Sequence, residues 1–177
     1  MRLSLPVISR LTALKSAFLG LFASSYLLYA YVANRPVVCG DSSGCEIVRL
    51  SKYAYVAGTI PRPLLGVLFY AAIILLLLFR VALRTRAVAL WRVMQAMIVI
   101  GVIESVWLFF IQWQELNAFC LWCLLSAAAA VGLGMAAFLD RPVQDDPAER
   151  AQELRLMLIY LAILSTIFLV GLGYLLQ

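Results

Sequence analysis

Long apolar stretches bounded by charged residues dominate the chain. A membrane-spanning helix needs about 20 mostly apolar residues, and five stretches meet or approach that length. They run over Ala17 to Val32, Pro63 to Phe79, Ala87 to Phe110, Ala118 to Leu139 and Leu156 to Leu176. The first is longer than the roughly 7 to 15 apolar residues of a secretory signal peptide, so we expect it to be retained. The pattern predicts an all-α integral membrane protein with five transmembrane helices.

Composition supports this interpretation and removes several kinds of chemistry. Of the 177 residues, 65% are apolar and 13% are charged. A soluble domain is about half apolar and one quarter charged, and disordered chains are poorer still in apolar residues. The chain has no histidine, which excludes Ser-His-Asp and Cys-His catalysis and histidine-based metal sites. The four cysteines are the most reactive side chains that remain.

The basic residues predict the orientation of the chain. Ten of the fourteen lie near the amino terminus, between the second and third spans or in the first turns of the third, or between the fourth and fifth spans. The positive-inside rule therefore places the amino terminus inside and the carboxyl terminus outside. We interpret these charges as orienting the protein, and we expect no nucleic-acid binding. Residues 34–62 form an outer loop, and residues 140–155 form a cytoplasmic connection.

Under this topology all four cysteines lie at the outer face. Cys39 and Cys45 belong to the outer loop, and Cys120 and Cys123 lie at the start of the fourth span. The outer side of a bacterial inner membrane and the lumen of the endoplasmic reticulum are compartments where disulfides persist. Two pairs of thiols on one oxidising face indicate redox chemistry.

The spacing within each pair suits disulfide exchange. Cys120 and Cys123 are one helical turn apart at a helix amino terminus, which favours the thiolate that attacks disulfides. Cys123 should lie about 4.5 Å deeper along the axis, where it can meet a partner dissolved in the membrane, while Cys120 meets the loop. The small residues and glycines between Cys39 and Cys45 permit a mobile ring. Burial as packing residues, static disulfides and a structural zinc site are the alternatives.

The ordered motifs resemble the vitamin K epoxide reductase family. The similarity covers residues 17–139. In this chain the Cys-x-x-Cys pair is the second of the two cysteine pairs. The four-helix bacterial quinone oxidases differ, because they carry that motif in the first loop. The matching residues are Cys39, Cys45, Ser51, the run Leu64-Leu65-Gly66-Val67-Leu68-Phe69-Tyr70, and Cys120-Leu121-Trp122-Cys123.

The resemblance implies a four-helix bundle around a quinone, either ubiquinone or menaquinone (vitamin K), with a fifth helix beside it. Cys123 would be the redox centre next to the quinone, Cys120 would exchange with Cys45, and Cys39 would meet a thioredoxin-like protein. Ser51 matches a family serine in a short amphipathic segment over the pocket, although a plain helix-surface hydroxyl is the alternative. We predict quinone contacts from Cys123, Arg62, Leu65, Phe69, Tyr70 and Glu104.

These expectations define domains and a function. Residues 1–139 form the catalytic core, which includes the outer loop 34–62. Residues 140–155 are the cytoplasmic connection to the fifth helix, which residues 156–177 form. We expect a monomeric thiol:quinone oxidoreductase of the bacterial inner membrane, without metal, that supports disulfide formation. Many bacterial relatives continue into a thioredoxin-like domain, whereas this chain ends at Gln177, so we expect a separate DsbA-like periplasmic partner. The alternatives are reduction of vitamin K epoxide and a membrane scaffold with structural disulfides.

Several individual residues refine the hypothesis. Glu104 lies within a span, where an acid is costly, so it either delivers protons to reduced quinone or is a protonated acid bonded to a neighbouring helix. We interpret Trp107 and Trp113 as an aromatic belt at the outer interface. Animal members of the family carry an asparagine and a tyrosine, both contacts to naphthoquinone oxygens, where this chain has Arg62 and Ala127.

Overall fold

The structure is a computed structural model that describes residues 5–39, 43–82, 87–139 and 147–175. Long apolar helices dominate these ranges, and five of them are long and apolar enough to cross a membrane. The helices are α1 (Leu5–Val32), α2 (Gly44–Leu50), α3 (Arg62–Ala82), α4 (Ala87–Phe110), α5 (Leu121–Leu139) and α6 (Pro147–Leu175). The predicted all-α integral membrane fold is confirmed.

Four of the long helices form a closed bundle. Helix α1 packs against α3 and α5, and α4 packs against the same two helices from the other side. Helix α6 lies outside this ring, against α1 and α3. The bundle interior is apolar, and its largest fully buried side chains include Leu14, Tyr70, Ile73 and Leu133. The large apolar side chains of the outer surface are those that a bilayer would cover.

Small residues let the helices of the bundle approach closely. A Cβ atom at Gly20 of α1 would overlap the ring of Tyr70 on α3, and one at Gly66 of α3 would lie 3.1 Å from the Cβ of Ser24 on α1. Close packing through small residues is typical of membrane helix pairs. These contacts bring the outer half of α3 against α1, where the site described below begins.

Three helices begin at residues other than the first residues of the predicted spans. Helix α1 begins at Leu5 instead of Ala17, because the bundle buries Arg10, so that charged residue does not end the helix. Helix α6 begins at Pro147, since proline is well tolerated in the first turn, and its apolar span begins at Leu154, close to the predicted Leu156. Helix α6 thus takes up the second half of the predicted connection 140–155, whose residues 140–146 lie outside the described ranges.

Helix α5 begins at Leu121 instead of Ala118. Asn117 adopts a left-handed backbone conformation with φ 46°, which interrupts any helix there. The Cys120 sulfur then accepts the backbone N–H of Cys123 at 3.3 Å. This bond to the third residue of the helix is the pattern of an N-cap. Cys120 is therefore the cap of α5, and Cys123 lies inside its first turn.

The outer loop is more structured than the sequence predicts. After α2, a short 3₁₀ turn covers Lys52–Ala54, and two short strands, β1 (Tyr55–Val56) and β2 (Ile60–Pro61), pair antiparallel. The turn between them has positive φ at Ala57 (51°) and Gly58 (73°), as tight hairpin turns require. The hairpin leads directly into α3 and so places Arg62 at the top of the bundle.

Candidate functional site

The fold brings the four cysteines to one end of the bundle. Cys39 and Cys45 form a disulfide with a Cα–Cα distance of 5.9 Å, whereas Cys120 and Cys123 are free thiols. Cys39, Cys45 and Cys120 share one buried cluster, and Cys123 packs against it. The disulfide argues against the zinc alternative, because the ligand that zinc binds is a thiolate. The predicted mobility of the loop ring concerns residues 40–42, which lie outside the described ranges.

A polar network fixes the chain on both sides of the loop disulfide. The Arg49 guanidinium pairs with the Glu46 carboxylate at 2.5 Å and donates to the Asn34 side chain at 3.1 Å. The backbone N–H of Val37 donates to Glu46 at 3.5 Å. The hydrogen bond from Arg49 is the main reason that the pKa of Glu46 lies below its usual range. The network connects α2, which carries Cys45, to the segment that carries Cys39.

Close backbone contact places Cys45 beside the start of α5. A Cβ atom at Gly44 would overlap the carbonyl oxygen of Phe119 and would lie 3.2 Å from its nitrogen. Only glycine permits this approach. Cys45 and Cys120, the residues that follow Gly44 and Phe119, are each 1% exposed. The two cysteines predicted to exchange are therefore buried side by side.

The surroundings of Cys120 favour its thiolate. The pKa of Cys120 is lowered, first by a hydrogen bond from the Cys123 thiol and further by backbone N–H groups of the first turn, while burial opposes the effect. The backbone N–H of Cys120 donates to the side-chain oxygen of Gln112 at 2.8 Å. Gln112 reaches it from a π-helical turn, Ile111–Glu115, that continues α4. Such turns are frequent at functional sites.

Beside Cys123 lies an open, mostly apolar cavity of about 640 Å³. This volume is within the range of about 300 to 1,000 Å³ that is typical of small-molecule sites. All of the predicted quinone contacts line it, namely Arg62, Leu65, Phe69, Tyr70, Glu104 and Cys123. The sequence prediction thus selected residues of one cavity, and their contacts with a quinone remain a prediction.

A cation lies in the wall of this cavity. Arg62 pairs with Glu104, donates from Nε to the carbonyl of Tyr53 at 2.7 Å, and lies 4.8 Å from the ring centroid of Trp107. The expectation that Glu104 bonds to a neighbouring helix is correct. Trp107 lines the cavity, so the interpretation of it as a belt residue is incomplete.

The hydroxyl groups of Tyr70 and Ser126 in the wall near Cys123 lie within hydrogen-bond distance of each other. The Tyr70 hydroxyl lies 2.6 Å from the Ser126 carbonyl, to which it donates. Ala127, one turn beyond Cys123 on α5, also lines the cavity and has no polar side-chain atom. A flat, apolar ligand with one or two oxygens fits such a space, since apolar groups form most of its surface and Arg62 supplies the positive charge.

Ser51 lies in the segment over the pocket, but its hydroxyl is bonded within that segment. It follows α2, and its hydroxyl donates to the carbonyl of Val48 at 2.8 Å. Its neighbours Val48, Tyr53 and Ala54 line the cavity, and Ser51 does not. The segment does lie over the pocket as expected, while the Ser51 hydroxyl caps a helix.

The sequence interpretation missed several contacts that shape the site. Gln112 bonds to Cys120, Gly44 admits Phe119, and Tyr26 and Trp122 hold the residue before Cys39. The position of Gly44 directly before Cys45 was a visible signal for a close approach. Nothing in the sequence indicated Tyr26, which lies within the apolar first span.

Comparison with known proteins agrees with this geometry. No curated protein matches the chain. The model of the vitamin K epoxide reductase family matches residues 11–138, which include all four cysteines, the cavity and nearly all of the four helices of the bundle. The chain therefore belongs to the vitamin K epoxide reductase family, a family of redox enzymes that act on quinones.

Proposed function

We propose that the protein oxidises a thioredoxin-like partner and passes the two electrons through its cysteine pairs to a membrane quinone. The observation that carries the proposal is the position of the four cysteines. They run from the loop disulfide through the buried neighbours Cys45 and Cys120 to Cys123, which lines the cavity. Disulfide exchange transfers electrons through such a chain of adjacent sulfurs.

The exchange is balanced as two thiol–disulfide steps. Starting from reduced Cys39 and Cys45 and an oxidised Cys120–Cys123 pair, the Cys45 thiolate attacks the Cys120 sulfur, and Cys123 leaves as a thiolate. The Cys39 thiolate then attacks Cys45 and forms the Cys39–Cys45 disulfide, and Cys120 leaves as a thiolate. This product is the state that the structure holds, with a loop disulfide and two free thiols beside the cavity.

The residues around the cavity have distinct roles in the next step, the oxidation of Cys120 and Cys123 by the quinone. When bound, a quinone supplies an acceptor for two electrons and two protons. Cys123 holds its thiol at the cavity wall, and Cys120, with its lowered pKa, closes the disulfide with it. Arg62 orients an oxygen of the ligand by its charge, and the apolar wall excludes water.

The partner and the compartment are part of the proposal. A reduced DsbA-like protein on the outer side of a bacterial inner membrane would attack the Cys39–Cys45 disulfide with one of its thiolates. The partner would thereby regain its own disulfide, and Cys39 and Cys45 would become thiols. Ubiquinone and menaquinone both suit the apolar cavity. We expect one copy of the chain to suffice, because the described residues of a single copy contain both cysteine pairs and the cavity.

The test uses the purified protein in lipid nanodiscs with ubiquinone-1 or menadione and a reduced thioredoxin-like protein. We expect quinone reduction that Cys123→Ala abolishes, while the loop disulfide of that variant still exchanges with the partner. Cys39→Ala and Cys45→Ala should lose turnover with the partner. They should keep turnover with dithiothreitol, which can reduce Cys120–Cys123 directly. Normal quinone reduction by Cys123→Ala would overturn the role given to Cys123. Inert disulfides and no quinone reduction in every variant would favour the scaffold alternative.

A further inference from the structure

The segment that carries Cys39 is held by two side chains of the bundle. The backbone N–H of Val38 donates to the Tyr26 hydroxyl at 3.0 Å. The indole N–H of Trp122 donates to the Val38 carbonyl at 2.8 Å. Both backbone groups of Val38 are thus bonded, although its side chain is 68% exposed. The backbone next to Cys39 is therefore fixed by polar bonds and not by burial of the residue itself.

The two side chains also support each other. Tyr26 lies on α1 and Trp122 lies on α5, between Cys120 and Cys123. Their ring centroids are 4.4 Å apart, and Tyr26 is buried. We call this pair the Val38 clamp. It connects the first turn of the Cys-x-x-Cys helix to Cys39, the loop cysteine that comes first on the proposed electron path.

Cys45 is held by other contacts. Gly44 abuts the backbone of Phe119, and the Glu46 carboxylate is paired with Arg49. These contacts place Cys45 next to Cys120 independently of the clamp. When the bond between Cys39 and Cys45 is open, α2 therefore still carries Cys45, and the clamp still holds the backbone beside Cys39.

We propose that Tyr26 and Trp122 are positioning residues that keep Cys39 within reach of Cys45 during exchange. This inference rests on the proposed function, in which a Cys45–Cys120 disulfide forms as an intermediate. The Cys39 thiolate resolves it by attack on the Cys45 sulfur. The Cys39–Cys45 bond forms, the Cys45–Cys120 bond breaks, and the electron pair leaves on the Cys120 thiolate. A held nucleophile reacts at a high effective concentration, so the clamp lowers the amount of the intermediate.

The test compares Tyr26→Phe and Trp122→Phe, which remove one donor or acceptor each and keep an aromatic ring. Tyr29→Phe, on the same helix, is the matched control. The purified variants are equilibrated in buffers of reduced and oxidised dithiothreitol, quenched with acid and alkylated. The three disulfides are then quantified after non-reducing digestion. We expect the ratio of Cys45–Cys120 to Cys39–Cys45 to rise about threefold to tenfold in each clamp variant, the size of one net hydrogen bond, and to stay unchanged in Tyr29→Phe.

A second background separates positioning from general loosening of the fold. In Cys39→Ala the resolving thiol is absent, so adding Tyr26→Phe should leave the yield of Cys45–Cys120 unchanged. An equal rise in both backgrounds, or a ratio in Tyr26→Phe equal to that of the unmodified chain, would overturn the clamp. Tyr26→Phe removes a single oxygen atom, and its result is decisive even if Trp122→Phe unfolds. Absence of Cys45–Cys120 from Cys39→Ala itself would instead overturn the proposed exchange.

Discussion

At the residue scale, the thiol of Cys120 should titrate below the usual cysteine range. Its pKa is lowered first by the hydrogen bond from the Cys123 thiol. Cys123→Ala removes that bond, so the pKa of Cys120 should rise toward the ordinary value of about 8.5. The Cβ carbon-13 shift of labelled cysteine, followed against pH with the loop disulfide intact, reports the thiolate directly. In Cys120→Ala the corresponding titration should be absent.

The same shift sets the pH dependence of reactivity. Because only the thiolate attacks, a lowered pKa keeps Cys120 reactive at a lower pH than an ordinary thiol. Loss of Cys123 should therefore move the rising part of its titration to higher pH. A titration of Cys120 that stays in place in Cys123→Ala would show that the neighbouring thiol is not the cause.

The Arg62–Glu104 pair is the second feature at this scale. Arg62 contacts Glu104, Tyr53 and Trp107 at once, which a lysine cannot reproduce because it lacks the planar fork of donors. If Arg62 orients a quinone oxygen, Arg62→Lys should raise the quinone KM about tenfold or more, since hydrogen bonds to charged groups contribute about 1.5 to 3 kcal/mol. Steady-state kinetics in nanodiscs would measure the quinone KM. Arg92→Lys is the control, because Arg92 lies in the half of α4 that is remote from Glu104.

Glu104 separates orientation from proton delivery. Glu104→Gln keeps an oxygen for Arg62 and removes the carboxylate. If the carboxylate only pairs with Arg62, we expect less than a threefold change in kcat, because partly exposed ion pairs contribute little. A kcat reduced more than about a hundredfold would support the role in proton delivery instead.

Ala127 should decide between quinone and epoxide. It lines the cavity one turn from Cys123 and offers no donor, and the Tyr70 hydroxyl nearby already donates to Ser126. A missing hydrogen bond to a buried oxygen costs about 1 to 3 kcal/mol, and opening an epoxide requires protonation of its leaving oxygen. We therefore expect quinones to be reduced much faster than vitamin K epoxide. Ala127→Tyr should reduce the ratio of the quinone rate to the epoxide rate. Ala128→Tyr, on the exposed face of α5, should leave that ratio unchanged.

At the scale of elements, the π-helical turn after α4 has a specific task. It brings Gln112, which is 4% exposed, to the backbone N–H of Cys120. Gln112→Leu would leave that buried donor without its acceptor, which costs about 1 to 3 kcal/mol. We expect a lower thermal unfolding midpoint and slower quinone reduction, with the exposed neighbour Gln114→Leu as the control. An unchanged midpoint in Gln112→Leu would mean that the contact contributes nothing to stability.

Sequence patterns predict the ends of a helix well where the hydrophobic thickness of the bilayer determines its length. The apolar residues of α4 must all lie in the bilayer, so both of its predicted ends, Ala87 and Phe110, are correct. The starts of α1 and α5 depend instead on a buried Arg10 and a sulfur cap at Cys120. These are local contacts that an apolar run does not encode. The hairpin β1–β2 is too short for any alternating pattern.

The site divides in the same way. The cysteines and the cavity residues were predictable, because reactive or charged side chains stand out in an apolar chain and the family motif orders them. Tyr26, Gln112 and the Arg62–Glu104 pair were not, because each acts through a partner on another element of the fold. Only the packing of α1, α3, α4 and α5 brings those partners together.

At the scale of the whole molecule, the bundle separates two chemically different ends. The cysteines and the cavity lie at one end. At the other end Arg10 of α1 lies near Leu77 of α3, Met94 of α4 and Ala137 of α5. Disulfide exchange needs the first end on the oxidising side, and basic residues favour the cytoplasm. The chemistry of disulfide exchange and the distribution of basic residues therefore favour the same orientation.

That orientation gives the last prediction. Green fluorescent protein should be fluorescent, and alkaline phosphatase inactive, when fused at the amino terminus, at Thr85 or at Asp145. Fusions at Gly40 and Gln177 should behave in the opposite way, because five spans place the two termini on opposite sides. Replacing Arg84 and Arg86 by glutamine is the matched perturbation, since it weakens the positive-inside bias of one loop without touching the site. A cytoplasmic Gly40 in the unmodified chain would place the loop disulfide on the reducing side and defeat the proposed electron path.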